Sequence, residues 1–216
     1  DTVVDGLLQL MGQAKKDLLI VSPYFVPGPD MKQAFAAARA RGVRVRVLTN
    51  SLASNDAPIA HAGYARHRPE LLATGLELYE MRSELSGLRS VFQGTGSSGV
   101  TGSSGDSKAM LHSKLLILDG RLLVIGSMNL DLRSQLQNTE IALLIRSRSL
   151  SARATEQIEA ALEDAAWRVE QDSEGRLVWR APKDSGLKDA TAEPDTSAPL
   201  RWLVRILGSF APDHLL

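Results

Sequence analysis

The sequence contains no cysteine, carries no net charge and has few aromatic residues, which make up 5% of it. Without cysteine, the fold has neither disulfide bonds nor a thiolate metal site, and the redox compartment stays undetermined. Because 25 basic residues balance 25 acidic ones, the chain has no overall field that would attract nucleic acid. No apolar run approaches the length of a membrane-spanning helix, and no signal peptide is visible. The lack of net charge weighs against a nuclease, although the net charge of the whole chain does not exclude a local basic groove.

The remaining composition is that of an ordinary globular protein. The chain has 216 residues, of which 44% are hydrophobic and 23% charged, so it is long enough for one domain with a hydrophobic core and an appendage. It begins at Asp1 rather than at a methionine, which indicates a processed product or a piece of a longer chain.

Hydrophobic periodicity predicts alternating helices and strands in the first part of the chain. Asp30 is the predicted N-cap of the second helix, Gly42 its end, and Pro69 the site of a kink or break in the third. The alternation predicts an α/β fold in which helices flank a mixed, mostly parallel sheet. The predicted elements are a helix over 2–16, a strand over 17–25, a helix over 31–42, a strand over 43–50, a helix over 57–75 and a strand over 76–81.

A glycine- and serine-rich segment, 93–107, interrupts this alternation. Its composition cannot form a core, so it is predicted to be a flexible surface loop, either a plain connector or a lid over a site. The elements predicted beyond it are strands at 111–118 and 121–126, a turn or short helix near 129–136, a strand at 139–145, a helix over 149–166 and a hairpin over 167–180.

The C-terminal residues are predicted to form a linker and a tail. The main domain spans 1–180, and polar residues replace the apolar pattern over the linker, 181–199. The tail, 200–216, contains an amphipathic helix with Trp202 beside its apolar face. This helix either lies on an anionic membrane surface or packs on the protein's own core, and the polar linker favours the membrane. The apolar face consists of Leu200, Leu203, Val204 and Leu207.

Four polar residues with chemically useful side chains lie close together in "MLHSKLLILDGRLLVIGSMN", residues 110–129. If 111–118 is a strand, His112 and Lys114 project from one face, and together an imidazole and an ammonium suit an anion. The neighbouring strand brings Ser127 and Asn129 toward the same end, where a hydroxyl and an amide are further donors. The cluster therefore predicts a phosphate site with a nucleophile or an acid.

Three further residues belong to this pattern. Glu140, at the head of the next predicted strand, is positioned to accept the other imidazole N–H and to fix the tautomer of the histidine. Gly126 precedes the serine, and Asp119 follows the first strand, where Asp-Gly also fits a plain hairpin turn. No second carboxylate is placed as a metal ligand, so no metal is implied.

The spacing His112-x-Lys114, four residues, Asp119, six residues, Gly126-Ser127-x-Asn129 resembles the HKD motif of the phospholipase D superfamily. Flanking stretches resemble the C-terminal half of bacterial cardiolipin synthases, and this resemblance favours the lipid enzymes over the nucleases of the superfamily. These stretches are "IVSPYFVPG", "HAGYARHRPELLATGLELYEM" and "NLDLRSQLQNTE", within roughly residues 1–180.

The sequence departs from the superfamily in one respect. Superfamily enzymes join two HKD motifs, whereas this sequence contains one. None of the other histidines begins an H-x-K, because Ala-Gly follows His61, Arg-Pro follows His67 and Leu-Leu follows His214. Structural roles are expected for these three, since two lie in a predicted helix and the third lies near the chain end. The resemblance therefore implies a partner, which is either an N-terminal HKD half, the favoured interpretation, or a second copy of the chain in an isologous homodimer.

The resemblance also implies the chemistry, phosphatidyl transfer through a phosphohistidine intermediate without metal or cofactor. His112, in the second motif, would be the general acid for the leaving group and the base for the incoming hydroxyl. Lys114 and Asn129 would stabilise the charge on the phosphoryl oxygens, supported by Ser127. Glu140 would orient His112.

The roles of the remaining candidates are open at this point. Asp119 is either catalytic or structural at the end of its strand, and Gly126 belongs to the substrate-binding part of the motif. Tyr24 and Phe25 end a predicted parallel strand, where open α/β sheets bind their ligands. Both would line a lipid groove, although core packing suits Phe25 equally.

Three functions are consistent with the sequence. The first is phosphatidyl transfer between phospholipids, giving cardiolipin, at the bacterial inner membrane and on its cytoplasmic face. The second is hydrolysis of phospholipid or nucleic acid by a homodimer, and the third is an inactive half that binds phosphate or lipid. Zero net charge and the lack of aromatic residues interleaved with basic ones make nucleic acid the less favoured substrate.

Overall fold

A computed structural model describes residues 3–83, 111–131 and 141–210 of the protein. The segment 93–107, Glu140 and His214 lie outside these residues. The helices are α1 (Val3–Gly12), α2 (Pro29–Ala40), α3 (Pro58–Ala73), α4 (Arg148–Asp164) and α5 (Ala198–Phe210). The strands are β1 (Asp17–Val21), β2 (Phe25–Val26), β3 (Arg44–Asn50), β4 (Glu77–Met81), β5 (Leu115–Leu118), β6 (Leu122–Gly126), β7 (Leu130–Asp131), β8 (Ala142–Arg146), β9 (Ala166–Gln171) and β10 (Leu177–Arg180).

The described residues form one large mixed sheet of eight strands in the order β10-β9-β4-β3-β1-β5-β6-β8, and a small sheet of β2 and β7. The helix–strand alternation of the first part of the chain produces the parallel centre, β1, β3 and β4. The later strands β5, β6 and β8 pair antiparallel with their neighbours in the sheet. The predicted α/β fold with a mixed sheet between helices is thus confirmed, with the parallel pairing confined to its centre.

Both faces of the large sheet are covered. One face packs against α1, α2 and α3, whose buried residues include Met11, Phe35 and Tyr64. The other face packs against α4 through Ile158 and Leu162. Such coverage explains the near-continuous apolar runs of the central strands.

Several element boundaries differ from the prediction. Strand β5 begins at Leu115, so His112 and Lys114 lie in the segment before the strand rather than within it. The N-cap of α2 is Gly28, and Asp30 lies in the first helical turn. Helix α3 runs through Pro69 as a single element, so of the predicted kink or break the break does not occur. Gly42 adopts a φ of +81° directly after α2, as expected of a residue that ends a helix.

The segment expected to be a free linker, 181–199, packs on the domain instead. Ala190 forms an antiparallel bridge with Trp179 of β10, and Glu193 pairs with Arg68 of α3 at 2.6 Å. This buried pairing helps to hold the segment in place, because separating Glu193 from Arg68 would leave both buried charges less well compensated. A polar composition therefore does not mean a loose tether here.

Helix α5 packs on α3 through part of its apolar face. Leu200, Val204 and Leu207 cluster with Leu52 and Ala62, and Val204 is 5% exposed. The helix nevertheless leaves two large apolar residues in solvent, since Trp202 is 67% and Leu203 47% exposed. None of the described helices has the length and the apolar character needed to cross a membrane.

Candidate active site

The predicted motif lies where β5 begins, beside the carboxyl ends of β1 and β3. Asn50, the last residue of β3, bonds Leu111 twice: its Oδ1 accepts from the Leu111 N–H at 2.9 Å, and its Nδ2 donates to the Leu111 carbonyl at 3.2 Å. The same Nδ2 donates to the Pro23 carbonyl at 3.3 Å. A buried side-chain amide thus ties the strand ends to the segment that carries His112.

His112 and Lys114 stand two residues apart on this short segment. His112 is exposed and Lys114 is half-buried. The Lys114 ammonium donates to the His112 carbonyl at 3.3 Å, and the Lys114 carbonyl accepts from the Gly126 N–H at 3.2 Å. The backbone of Lys114 is therefore fixed by the β5–β6 ladder, which supports the cation beside an accessible imidazole. A phosphate is the kind of anion that such a pair binds.

Strand β7 brings Asn129 to the same edge of the sheet. Leu130 pairs with Phe25 of β2, and the Leu130 N–H donates to the Ser22 hydroxyl at 3.1 Å. Ser22 directly follows β1, so Asn129 lies next to the end of that strand. The Asn129 amide oxygen is buried and accepts no hydrogen bond from the described residues. An unpartnered buried polar atom at this edge indicates a site for a polar group.

Ser127 and Gly126 hold β6 against β8. The Ser127 hydroxyl accepts from the Ile141 N–H at 3.1 Å, and the Ser127 N–H donates to the Ile141 carbonyl at 3.0 Å. A Cβ on Gly126 would lie 2.6 Å from that carbonyl, so only glycine fits. Both residues fix the strand end next to Lys114, so the contacts with Ile141 give the Gly-Ser pair a structural role in addition to its predicted contact with substrate.

Asp119 lies at the other end of β5 from the rest of the motif. Its carboxylate accepts hydrogen bonds from the N–H groups of Lys15, Lys16 and Asp17, at distances from 2.8 to 3.2 Å. Partial burial opposes ionisation, but these backbone donors outweigh it and lower the pKa of Asp119. Asp119 also adopts a φ of +50°, in the left-handed region that aspartate tolerates. The structure thus gives this residue contacts that fasten the start of β1 to the β5–β6 turn.

Tyr24 lies just beyond β1, as expected for a residue at the ligand-binding edge. Its hydroxyl donates to Asp56 at 2.5 Å. Burial, together with the hydrogen bond to Asp56 and the charge of Asp56, raises the pKa of Tyr24 to about 12. The phenol therefore stays protonated and acts as a donor. Phe25, by contrast, is 1% exposed and packs between Phe35 and Tyr64 in the core.

Sequence reasoning missed Ser22 and Asn50. Both are buried, and both position motif segments by hydrogen bonds to backbone groups distant in sequence. The available signal was weak: each is a polar residue at the end of a buried apolar strand. The carboxyl ends of parallel strands are where open α/β sheets gather their functional groups.

The two described histidines outside the motif, His61 and His67, have structural contacts. His61 is buried in α3, with its Nε2 3.1 Å from Glu193, in a network around Arg68. Arg68 also pairs with Glu80 at 2.8 Å. His67, on the same helix, has its Nδ1 3.0 Å from the Lys32 ammonium. The predicted helical location of both histidines is confirmed.

Comparison with known proteins agrees with this geometry. Residues 7–162 match the family model described as cardiolipin synthase, PLD-like domain. Cardiolipin synthase C of Escherichia coli K12 is 38% identical over 214 residues, which cover 97% of this chain and 43% of that protein. Two crystal structures are similar in fold at 19% identity. Nuc of Salmonella typhimurium, a phospholipase D family member, has a TM-score of 0.54 over 78% of this chain and 91% of that one. Phosphatidylserine synthase of Haemophilus influenzae has a TM-score of 0.51 over 75% of this chain and 35% of that one.

The chain belongs to the cardiolipin synthase, PLD-like family, within the phospholipase D superfamily. It spans less than half the length of the Escherichia coli relative. The predicted superfamily and fold are therefore confirmed, while the activity of a whole enzyme goes beyond what this span of residues covers.

Proposed function

We propose that this chain contributes one half of a two-motif active site that transfers phosphatidyl groups between phospholipids, as cardiolipin synthases do. The observation that carries the proposal is the convergence of His112, Lys114 and Asn129 at the carboxyl ends of β1 and β3, in a chain of this family. A phosphodiester bound there would have an acid beside it and cationic and amide donors around it.

The reaction proceeds in two displacements. The histidine of the partner motif attacks phosphorus, the bond to the leaving alkoxide breaks, and His112 gives that alkoxide its proton. The hydroxyl of the second phospholipid then loses its proton to His112 and attacks phosphorus, which releases the partner histidine. Lys114 and Asn129 stabilise the equatorial oxygens in both steps. Ser127 supports them from the β6–β8 junction, and Tyr24 contributes to the substrate-binding surface just beyond the end of β1.

Glu140 and Asp119 act on the position of other groups in this proposal. Glu140 orients the imidazole of His112 by accepting its second N–H. Asp119 holds the backbone at the start of β1, at the end of β5 remote from Lys114. A structural role is the better supported interpretation for Asp119.

The partner motif would dock at the β8 edge of the sheet. Ile125, Ile141 and Leu143 are exposed there by 42%, 76% and 60%, and β8 ends the described sheet. Ile125 lies opposite Leu143 and directly before Gly126 of the motif. Large apolar residues concentrated at an open sheet edge mark interaction surfaces. An N-terminal HKD half is the favoured partner, and a second copy of the chain is the alternative.

The location follows from the substrate. Because the proposed substrate is a phospholipid, we place the protein peripherally on the bacterial inner membrane, on the cytoplasmic face. Hydrolysis by a homodimer and an inactive lipid-binding half remain the alternatives. Nuc and phosphatidylserine synthase share the fold, so fold alone does not choose between them.

The test measures phospholipid transfer and hydrolysis by the chain, with its oligomeric state determined by sedimentation. We expect no turnover from a monomer and recovery of transfer when a complementary HKD half is added. Robust turnover by a proven monomer would overturn the two-motif proposal. Turnover by a dimer of this chain alone would favour the homodimer, and the ratio of transfer to hydrolysis would then separate the first two functions.

A further inference from the structure

A groove of about 380 Å³ runs between α1 and the strands β5, β6 and β8. Its size falls within the roughly 300–1,000 Å³ of pockets that bind small molecules. Lys114, Gly126 and Met128 contribute to its lining, so it reaches the candidate active site. The other lining residues are mostly apolar and come from α1 and from the sheet. They include Leu7, Leu10, Leu116, Val124, Ala142 and Leu144.

A glycine in the middle of α1 keeps this groove open. Gly6 lines the groove, and a Cβ built on it meets no atom within 4 Å. Glycine inside a helix costs stability relative to alanine, so a glycine at this position is unfavourable for the helix itself. The missing side chain instead leaves space between the helix and the sheet.

We propose that the groove binds one acyl chain of the phospholipid whose phosphate contacts Lys114. The inference rests on the proposed function and extends it to the apolar part of the substrate. Lys114 carries the one charge among the described lining residues, and it lies at the end that meets the motif. A phospholipid has the matching order of groups, an anionic phosphate followed by apolar chains. An apolar segment of a partner protein would bury the same walls, but it would have no need of a cation at this end.

The experiment uses soluble phosphatidylglycerols with two six-carbon or two eight-carbon chains, below their micelle concentrations, and glycerophosphoglycerol as the headgroup alone. Binding is measured by calorimetry to the chain by itself and with its complementary half. Each methylene transferred from water to the groove is expected to raise affinity about fourfold, so two further methylenes in one chain raise it about 16-fold.

Gly6→Leu, which fills the groove, is expected to reduce this chain-length gain to below about threefold while headgroup binding persists. Gly12→Leu is the matched control, because Gly12 lies in the same helix, has equally open space around it and does not line the groove. Thermal unfolding of both variants shows whether each folds. If Gly6→Leu does not fold, Ala142→Leu on the opposite wall replaces it with the same expectation.

Three results would overturn the groove assignment. In the first, the wild-type chain binds the eight-carbon lipid no more tightly than the headgroup. In the second, Gly6→Leu keeps the full chain-length gain. In the third, the substitution weakens association with the partner half and leaves lipid binding unchanged, which would make the groove a protein interface.

The two proposals can fail separately. If Gly6→Leu transfers phosphatidyl groups and keeps the wild-type preference for chain length, the groove is not the acyl-chain site, but the proposed function stands. If binding depends on chain length and Gly6→Leu abolishes that dependence, the groove is the acyl-chain site. If there is also no turnover under any condition, the result counts against phosphatidyl transfer.

Discussion

The side chain of Asn50 and the backbone of Leu111 form a pair of hydrogen bonds that joins the end of β3 to the residue before His112. The two residues are 61 positions apart in the sequence, and both are buried. The general acid of the proposed reaction is thus attached to the sheet through a neutral amide rather than through its own side chain.

Asn50→Ala is expected to lower turnover of the two-half enzyme by more than its effect on folding explains. The substitution leaves the backbone of Leu111 without buried partners and lowers the free energy of unfolding by about 1–3 kcal/mol. Asn55→Ala is the control, since Asn55 also bonds a backbone N–H, but that of Ala57, a residue outside the motif. Equal turnover per folded molecule in both variants, measured with denaturant unfolding, would remove the positioning role of Asn50.

His112→Ala is expected to abolish most turnover and to leave stability almost unchanged, because the exposed imidazole loses no core contact. If His112 is the general acid, substrates with a good leaving group, such as a nitrophenol, lose the least activity. Steady-state rates on a series of leaving groups provide the measurement. Equal loss across the series would point to a nucleophile instead.

Asp119→Ala is expected to destabilise the protein by about 1–3 kcal/mol, since three backbone N–H groups lose their acceptor. Asp184→Ala controls for the backbone, because Asp184 is exposed and adopts a φ of +55° against +50° for Asp119. Urea unfolding of both variants gives the difference. A change in turnover per folded molecule for Asp119→Ala, with stability unaltered, would restore a catalytic role.

Glu193 is expected to make stability depend on pH in the acidic range. Burial opposes its ionisation, but Arg68 and His61 outweigh that effect and lower its pKa from 4.5 to about 2. A carboxyl whose pKa is lower in the folded state stabilises the fold above its unfolded pKa, and this contribution is lost as the pH falls toward the folded pKa. Glu193→Gln should therefore lose less stability than the wild type between about pH 5 and about pH 3.

The control for this experiment is Glu156→Gln, a change of an exposed glutamate on α4. Chemical denaturation at several pH values gives the free energy of unfolding of all three proteins. Parallel curves for the wild type and Glu193→Gln would show that the buried pair does not control acid stability.

The double substitution Trp202→Ser with Leu203→Ser is expected to weaken binding to anionic vesicles without lowering the melting temperature, because both residues are largely exposed. Val204→Ser is the contrasting variant, since Val204 packs against α3 and its loss should cost about 2 kcal/mol. Vesicle flotation and thermal unfolding separate the two effects. If the double variant binds vesicles as well as the wild type does, the exposed face of α5 is not the membrane-binding surface.

Much of the fold was predictable because its signals are local. Period-two and period-3.6 patterns located helices α1 to α4 and most strands to within a few residues. The packing of 181–199 was not predictable, since it depends on the buried charge of Arg68, which is distant in sequence. From sequence alone, this polar segment resembles a linker, because the sequence does not show that Glu193 pairs with Arg68.

The candidate site shows the same division. The spacing from His112 to Asn129 predicts the motif, and the sheet brings the segments that carry these residues to one edge. Ser22 and Asn50 escaped notice because their roles arise from hydrogen bonds to residues 108 and 61 positions away. No spacing rule along the chain encodes such contacts.

The exposed apolar edge at β8 has a consequence for how the protein behaves outside its assembly. Among the described strands β8 pairs with β6 alone, and Ile141 and Leu143 at this edge are exposed, so the edge is also a template for pairing with any other extended chain. A partner half on the same polypeptide would be present at an effective concentration in the millimolar range, enough to keep that edge covered even if the contact itself is weak. Solubility would then show whether the two halves are assembled. A half studied alone should precipitate or self-associate at concentrations at which the joined halves stay in solution.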